Sequence, residues 1–275
     1  MLPFRAKALL LLQIGLGRMA AFILAPCYFA VIRLMGYRIR NLRAIRQACR
    51  REFQRHEGPW LICANHLTVA DSLILSYAML SLPAHLRLYR WIPWNLPERN
   101  NFQNPFLVLL CYLSKCIPVQ RGGPREETKR TLDKCTYLLS RRQRLLIFPE
   151  GGRSRTGRVD REQFSYGVGR FLADGGGDLQ VMCLYLRGDK QSSYSLLPGF
   201  GERFMVLMDV FKPEKSALTG LRAQRDYAGQ IIQRLAEMEE KYYDIYRQRH
   251  CGSDRSRQYR KEQGQPVSAA GLHQR

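Results

Sequence analysis

Short apolar runs recur along this chain, and turn residues or polar segments separate them. Runs of this length are typical of buried strands. The runs predicted as strands are 60–64, 116–119, 145–148, 181–186 and 204–210. Strands that alternate with helical segments are typical of layered α/β folds. The pattern therefore predicts a central, mostly parallel or mixed sheet that is flanked by helices.

Four segments outside these runs have features of helices. Residues 73–82 form one, which a proline ends, and residues 106–113 form a buried turn or two. A third begins at Pro124, with acidic residues in its first turn and arginines at its end, which complements the helix dipole. Near the end of the chain, apolar residues at steps of three and four predict an amphipathic helix that packs on the core: Tyr227, Ile231, Leu235, Met238, Tyr242 and Ile245.

The N-terminal apolar segment consists of two pieces, 8–17 and 19–32, with Arg18 between them and Pro26 inside the second. As helices they are about 15 Å and about 21 Å long, less than the roughly 30 Å of bilayer hydrocarbon. One joined span would place Arg18 inside the membrane, at a cost of about 2.5–3.5 kcal/mol. We therefore predict a pair of short helices lying in one leaflet, with their cations reaching the lipid phosphates: Arg5, Lys7, Arg18 and Arg33. A signal peptide and a buried helix pair are the alternatives.

The chain is long enough for one large domain with a substantial core, and its polar end is typical of a disordered tail. We predict a membrane-associated helical segment at 1–40, one folded domain at 41–250 and the tail at 251–275. Eight cysteines occur singly, several inside apolar runs, which favours buried thiols in a reducing compartment.

The net charge of +21 must attract something anionic, such as a lipid surface, nucleic acid or a charged substrate. The basic residues are spread through the folded part, which favours a broad positive face. A nucleic-acid-binding protein is one interpretation of this charge, but no recognisable binding module is present and aromatic residues do not interleave with the basic run at 38–55. We therefore expect anionic membrane lipids, and no nucleic acid, among the partners.

The first chemical motif is Asn65-His66-Leu67-Thr68-Val69-Ala70-Asp71-Ser72, which directly follows a predicted strand. Ligands of open α/β sheets lie at the carboxyl ends of strands. Thr68 and Asp71 have capping-box spacing, so we expect a helix to begin at Thr68 and His66 to lie in the preceding turn, within reach of Asp71. A carboxylate on one imidazole nitrogen leaves the other to take a proton from a hydroxyl, as a general base. A satisfied loop histidine beside a helix-capping aspartate is the alternative.

The same loop offers Cys63 and His66 as metal ligands, but no second pair has suitable spacing, so we predict no metal site. A second motif, residues 148–157, combines glycines with cations after another predicted strand. Glycines allow a ligand to approach the backbone, and arginines bind phosphate oxygens. This loop therefore predicts phosphate recognition, although a solvated basic turn would have the same composition.

Three blocks in this order resemble the glycerolipid acyltransferase family, of the lysophosphatidic acid acyltransferase type. They are Asn65-His66-x4-Asp71-Ser72, Ile117-Pro118-Val119-x-Arg121 and Phe148-Pro149-Glu150-Gly151-x-Arg153-Ser154. The resemblance covers residues 60–186. Two departures bear on substrate choice: Gly152 stands where the family usually has threonine, and 181–186 lacks the usual proline.

The resemblance implies acyl transfer from acyl-CoA or acyl-carrier protein to the hydroxyl of a lysophospholipid, with His66 as general base and Asp71 orienting it. The substrate-binding residues would be Arg121, Glu150, Gly151, Gly152, Arg153 and Ser154, with Glu150 bonding an acceptor hydroxyl or an arginine. The thioester is a cosubstrate, so no cofactor is expected.

A different lipid or a secondary metabolite is an alternative acceptor, and a non-catalytic membrane adaptor is an alternative class, which retention of both His66 and Asp71 disfavours. Similarity of the N-terminal segment to that of bacterial members implies the cytoplasmic face of a membrane, most simply the bacterial inner membrane.

Overall fold

A computed structural model describes residues 2–101, 104–120, 122–174, 178–191, 193 and 195–262 of the chain. The helices are α1 (Phe4–Leu34), α2 (Leu42–Arg55), α3 (Asp71–Met79), α4 (Leu82–Arg87), α5 (Pro105–Leu113), α6 (Arg125–Ser140), α7 (Gly167–Ala173) and α8 (Gly220–Glu262). The strands are β1 (Arg38–Ile39), β2 (Trp60–Ala64), β3 (Trp94–Asn95), β4 (Arg144–Ile147), β5 (Gln180–Gly188) and β6 (Arg203–Phe211). Single 3₁₀ turns lie at Tyr89–Trp91 and Arg99–Asn101.

The six strands form one mixed sheet in the order β1-β6-β5-β2-β4-β3. Neighbouring strands are parallel except β5 and β6, which are antiparallel. Strand β2 lies between β4 and β5, and all five of its residues are buried. The predicted α/β fold with a mixed sheet flanked by helices is confirmed. Because β2, β4 and β5 are parallel, their carboxyl ends meet at one edge of the sheet, where the loops after them lie side by side.

The predicted strand at 116–119 is wrong as a strand of the sheet. Its residues make only isolated bridges, Asn95 to Cys116 and Glu98 to Val119. The physical reason is Pro118, together with Pro97 on the opposite segment, since a proline has no N–H to donate to a ladder. The other four predicted strands correspond to β2, β4, β5 and β6.

The N-terminal segment is one helix of 31 residues, so the predicted helix pair is wrong. Neither Arg18 nor Pro26 ends it: arginine is a good helix former, and a proline removes only one backbone donor. By length and composition alone, α1 could cross a membrane. One side of it is buried at steps of three and four residues: Leu10, Gln13, Gly17, Ala21, Ala25, Phe29 and Ile32.

Close contacts hold this side of α1 on the folded domain. The Gln13 side chain donates to the carbonyl of Tyr112 at 2.8 Å and to that of Cys116 at 3.0 Å. A Cβ atom at Gly17 would lie 2.8 Å from the Leu113 carbonyl oxygen, so only glycine allows this approach. Helices α3, α4 and α5 all pack on α1. Helix α1 is therefore part of the folded domain along most of its length.

The chain divides into two compact units, Met1–Ala236 and Glu237–Arg275. Helix α8 confirms the predicted C-terminal helix and continues to Glu262, into the predicted tail, whose residues 263–275 lie outside the described part of the chain. The boundaries predicted at residues 40 and 250, and the disorder of the tail, stay predictions.

Candidate active site

His66 lies directly after β2, in the loop that leads to α3. The side chain of the preceding residue, Asn65, fixes the start of this loop on the neighbouring strand β5. Its amide donates to the carbonyl of Leu186 at 3.0 Å, and its oxygen accepts from the Leu186 N–H at 2.7 Å. This two-way bond replaces a backbone pair where β2 ends, so the loop leaves the sheet from a defined point.

Asp71 pairs with His66, and the distance between Nδ1 and Oδ2 is 3.0 Å. The Asp71 side chain is 3% exposed, whereas that of His66 is 14% exposed. The carboxylate also accepts from the backbone N–H groups of Leu67 (2.6 Å) and Thr68 (2.8 Å) and from the Thr68 hydroxyl (2.5 Å). Four donors thus hold one carboxylate, and its orientation is fixed before any substrate binds.

The helix that follows begins at Asp71 and not at Thr68, so the predicted helix start is wrong. Thr68 does not cap the helix; its N–H and hydroxyl donate to the Asp71 carboxylate instead. This arrangement places the negative charge in the first turn of α3, where the helix dipole stabilises it. Because an ionised carboxylate only accepts, Nδ1 of His66 donates, and Nε2 is the nitrogen that remains to take a proton.

The second motif holds His66 from the other side. Glu150 Oε1 accepts from the His66 N–H at 2.8 Å, and the Ser154 N–H donates to the His66 carbonyl at 2.8 Å. The Phe148 ring stacks on the imidazole, with centroids 4.1 Å apart and planes 17° from parallel. The parallel pairing of β2 with β4 places the two loops side by side. The two motifs therefore form one site around His66.

A tight turn shapes the second motif. The Gly151 N–H donates to the Phe148 carbonyl at 3.1 Å, and Gly151 has a φ of +70°, which favours glycine. A Cβ atom at Gly151 would lie 3.2 Å from Cβ of Ser165, whose N–H donates to the Pro149 carbonyl. Gly152 lies in the same loop without a positive φ. The turn directs Glu150 back toward His66.

The remaining predicted residues have different outcomes. Arg153 belongs to the same loop, and its Nη1 donates to the Ser195 carbonyl at 3.3 Å. Arg121 lies outside the described residues. Two groups were not assigned a role from the sequence: the Phe148 ring, and Arg187, a buried cation at the end of β5 whose guanidinium donates to the Gly157 carbonyl. The sequence did contain a signal for Arg187, because it is an arginine at the end of an apolar strand.

In the described ranges no group of three or more His, Cys, Asp or Glu residues could hold an ion, and Cys63 and His66 therefore belong to no such group there. Cys63 is completely buried, and burial raises the pKa of its thiol. That no metal or cofactor takes part stays a prediction.

An open groove of about 720 Å³ is lined by residues of α8 and nearby loops: Phe164, Leu218, Arg222, Arg225, Asp226, Gly229, Gln230 and Gln233. None of the predicted site residues that the structure describes lines it. The geometry around the imidazole, and not the size of a cavity, therefore identifies the candidate site.

Two comparisons with known proteins bear on this site. A family model described as Acyltransferase matches residues 36–184, more than half of the chain. The matched range contains His66, Asp71 and all six predicted substrate-binding residues. No curated protein matches the chain significantly. The match confirms the resemblance found from the three motifs: the chain belongs to the acyltransferase family, of the glycerolipid type, and its activity is acyl transfer.

Proposed function

We propose that this protein transfers a fatty acyl group from acyl-CoA or acyl-carrier protein to the hydroxyl of a lysophospholipid at a membrane, with His66 as general base. The observation that carries the proposal is the 3.0 Å pairing of His66 with a buried carboxylate that three other donors also hold. Such a pair orients the imidazole and stabilises its protonated form.

The proposed reaction uses this geometry. Nε2 of His66 takes the proton of the acceptor hydroxyl while the oxygen attacks the thioester carbonyl carbon. The C–S bond of the tetrahedral intermediate then breaks, and the thiolate leaves with the proton that the imidazolium returns. The products are an ester and a free thiol. A positioned base contributes about 10²–10⁴-fold to such a reaction, and positioning of the acceptor adds to this.

Glu150 has a different role in this proposal from the one expected from sequence. Its Oε1 accepts from the His66 N–H, so it positions the base. The cations of the acceptor site are then Arg153 and, by resemblance, Arg121. Arg153 is suited to a phosphate because a guanidinium donates two parallel hydrogen bonds to phosphate oxygens.

Helix α1 supports a location at the membrane surface. Its buried side extends from Leu10 to Ile32, about 33 Å of helix, and packs on α3, α4 and α5. A crossing orientation would draw those elements into the hydrocarbon, so we propose that α1 lies along the cytoplasmic surface of one leaflet. The large apolar side chains that it leaves exposed include Leu9, Leu12, Leu16, Met19, Phe22 and Ile23.

The test is direct measurement of acyl transfer. Purified protein is incubated with acyl-CoA or acyl-carrier protein and a panel of lysophospholipids, neutral monoacyl lipids and other hydroxylated lipids, and products are identified by mass spectrometry. We expect an acylated lysophospholipid from wild type and almost none from His66→Ala. Transfer by His66→Ala at the wild-type rate would refute the base. If only another lipid is acylated, that lipid replaces the lysophospholipid as the proposed acceptor. The departure from the family at Gly152 points to this alternative.

Arg153 tests the acceptor site. We expect Arg153→Ala to raise the KM of a phosphate-bearing acceptor about tenfold, because a charge-assisted hydrogen bond is worth about 1.5 kcal/mol. The KM of the thioester should stay the same. Arg153→Lys, which keeps the charge, is the matched control and should lie between. An unchanged acceptor KM in Arg153→Ala would remove Arg153 from the phosphate site.

A further inference from the structure

The connection between β5 and β6 exposes three large apolar side chains within its residues 195–200. Leu196 is 67% exposed, Leu197 is 51% exposed and Phe200 is 75% exposed. Single exposed apolar residues are common on protein surfaces, whereas a contiguous exposed cluster marks an interaction site. Pro198 and Gly199 lie between Leu197 and Phe200 in the sequence, and the whole segment lies outside both strands.

Hydrogen bonds hold this loop in place at both ends. At one end, the Val69 N–H donates to the Leu196 carbonyl and the Ser195 N–H donates to the Leu67 carbonyl, both at 3.2 Å. These bonds attach it to the catalytic loop between His66 and Asp71. The exposure of its apolar side chains is therefore a fixed feature of the fold.

At the other end, the loop is attached to the segment that follows α1. The Tyr37 hydroxyl donates to the Pro198 carbonyl at 2.8 Å, and the Gly201 N–H donates to the Met35 carbonyl at 2.8 Å. The loop thus links the catalytic loop with the end of α1.

Exposed apolar residues continue from the loop on both sides. Val69 and Leu73 are exposed beside the catalytic loop, and Val31 and Leu34 are exposed at the end of α1. Because backbone hydrogen bonds join the loop to Val69 and to Met35, the residue after Leu34, we group these residues with Leu196, Leu197 and Phe200 and term the set the apolar strip. The exposed cations Arg33 and Arg38 lie beside its α1 end. An apolar strip bordered by cations fits the surface of an anionic bilayer, and the net charge of +21 favours the same partner.

We propose that the loop at 195–200 inserts its apolar side chains into the bilayer and holds the mouth of the His66 site at the lipid surface. A lyso-lipid then reaches the imidazole from the leaflet without passing through water. The proposal extends the membrane surface beyond α1, and only its catalytic consequence rests on the proposed function.

Insertion is tested without catalysis, in a His66→Ala background. Leu197→Trp is mixed with phosphatidylcholine vesicles that contain phosphatidylglycerol, with and without brominated acyl chains. We expect a blue shift of the added tryptophan's emission and its quenching by bromine. Leu221→Trp is the matched control, because Leu221 on α8 is similarly exposed, at 70%. Its emission should not change. Absence of bromine quenching in Leu197→Trp, whether or not the protein floats with the vesicles, would overturn insertion.

The catalytic consequence is tested with Leu196→Ser/Leu197→Ser/Phe200→Ser. We expect the KM for a lyso-lipid in vesicles to rise about tenfold or more, and the KM for a short-chain, water-soluble acceptor to stay the same. Leu218→Ser/Leu221→Ser should match wild type on both. An equal rise with the soluble acceptor, or in the KM of the acyl donor, would mean that the loop binds an acyl chain and not the bilayer. No acyl transfer by wild type would instead refute the proposed function, and the quenching result would still stand.

Discussion

His66 and His85 show how two environments give the same side chain different properties. His66 lies after β2, is partly exposed and pairs with the Asp71 carboxylate. His85, on α4, is 1% exposed, and its ring contacts the Tyr28 hydroxyl, the Ser76 hydroxyl at 3.1 Å and the Ser81 carbonyl at 3.0 Å. Burial lowers the pKa of His85 to about 4, so this imidazole is neutral at physiological pH.

Both histidines contact α3, one at its first residue and the other just past its middle. Asp71, its first residue, contacts His66, whereas Ser76 contacts His85. A carboxylate stabilises an imidazolium, which supports the proposed role of the partly exposed His66 as a base. Hydroxyl groups and aromatic rings around a fully buried histidine favour the neutral form. The partner and the access to solvent, not the histidine, decide between a catalytic and a structural role.

The largest expected effect comes from replacing each histidine with alanine. His66→Ala should lower the rate of acyl transfer by about 10²–10⁴-fold, because the proposed base is lost, with little change in thermal stability. His85→Ala should leave the rate per folded molecule near wild type but lower the free energy of unfolding by about 2–3 kcal/mol, since it leaves a cavity and unpaired hydroxyl groups. Rate assays and thermal unfolding measure the two. A folded His85→Ala protein without activity would contradict the purely structural role of His85.

Asp71→Asn should have the next largest effect, a fall in kcat of about 10²-fold. The amide preserves the shape of the side chain, but it cannot stabilise the imidazolium and it presents a donor where four donors meet. Asp209→Asn is the control, because Asp209 forms a partly exposed ion pair with Arg234. It should match wild type. A kcat of Asp71→Asn equal to that of the control would mean that Asp71 is only a helix-capping residue.

The pH dependence of stability tests His85. The unfolded chain binds a proton at this histidine below about pH 6.5, whereas the folded chain binds it only near pH 4. Between these pH values the unfolded chain therefore binds more protons than the folded chain. The contribution of His85 to the free energy of unfolding is complete above about pH 6.5 and is lost as the pH falls toward 4. From about pH 7.5 to about pH 5 the loss is about 2 kcal/mol. Urea unfolding at both pH values should show a smaller loss of unfolding free energy in His85→Gln than in wild type. Equal losses in the two proteins would contradict a neutral, buried His85.

The smallest effect separates the charge of Glu150 from its hydrogen bond. Glu150→Ala removes the acceptor of the His66 N–H and should lower kcat about tenfold, the equivalent of one hydrogen bond. Glu150→Gln keeps an accepting oxygen and should retain most of the activity. Initial rates at saturating substrate measure both variants. If Glu150→Gln falls as far as Glu150→Ala, the carboxylate charge matters and Glu150 does more than position His66.

The main strands could be predicted because a strand buried on both faces, such as β2, is a continuous apolar run. The two-residue strands β1 and β3 could not, since they are too short for any pattern. Helix α2 was missed because only Ile45, Cys49 and Phe53 are buried in it, one residue per turn among arginines. The predicted helix pair failed because neither a cation nor a proline within an apolar segment is sufficient to end a helix that packs on other elements.

The sequence by itself determined the local part of the site. His66 and Asp71 are five residues apart, so a single turn is enough to bring them together. Only the tertiary structure decided that Glu150, 84 residues away, and Ser154 form hydrogen bonds with the His66 backbone. The parallel pairing of β2 with β4 makes their loops neighbours. It also decided the position of the loop at 195–200, since the pairing of β2 with β5 brings that loop beside the loop of His66. Contacts between distant residues depend on strand order, and no local pattern encodes that order.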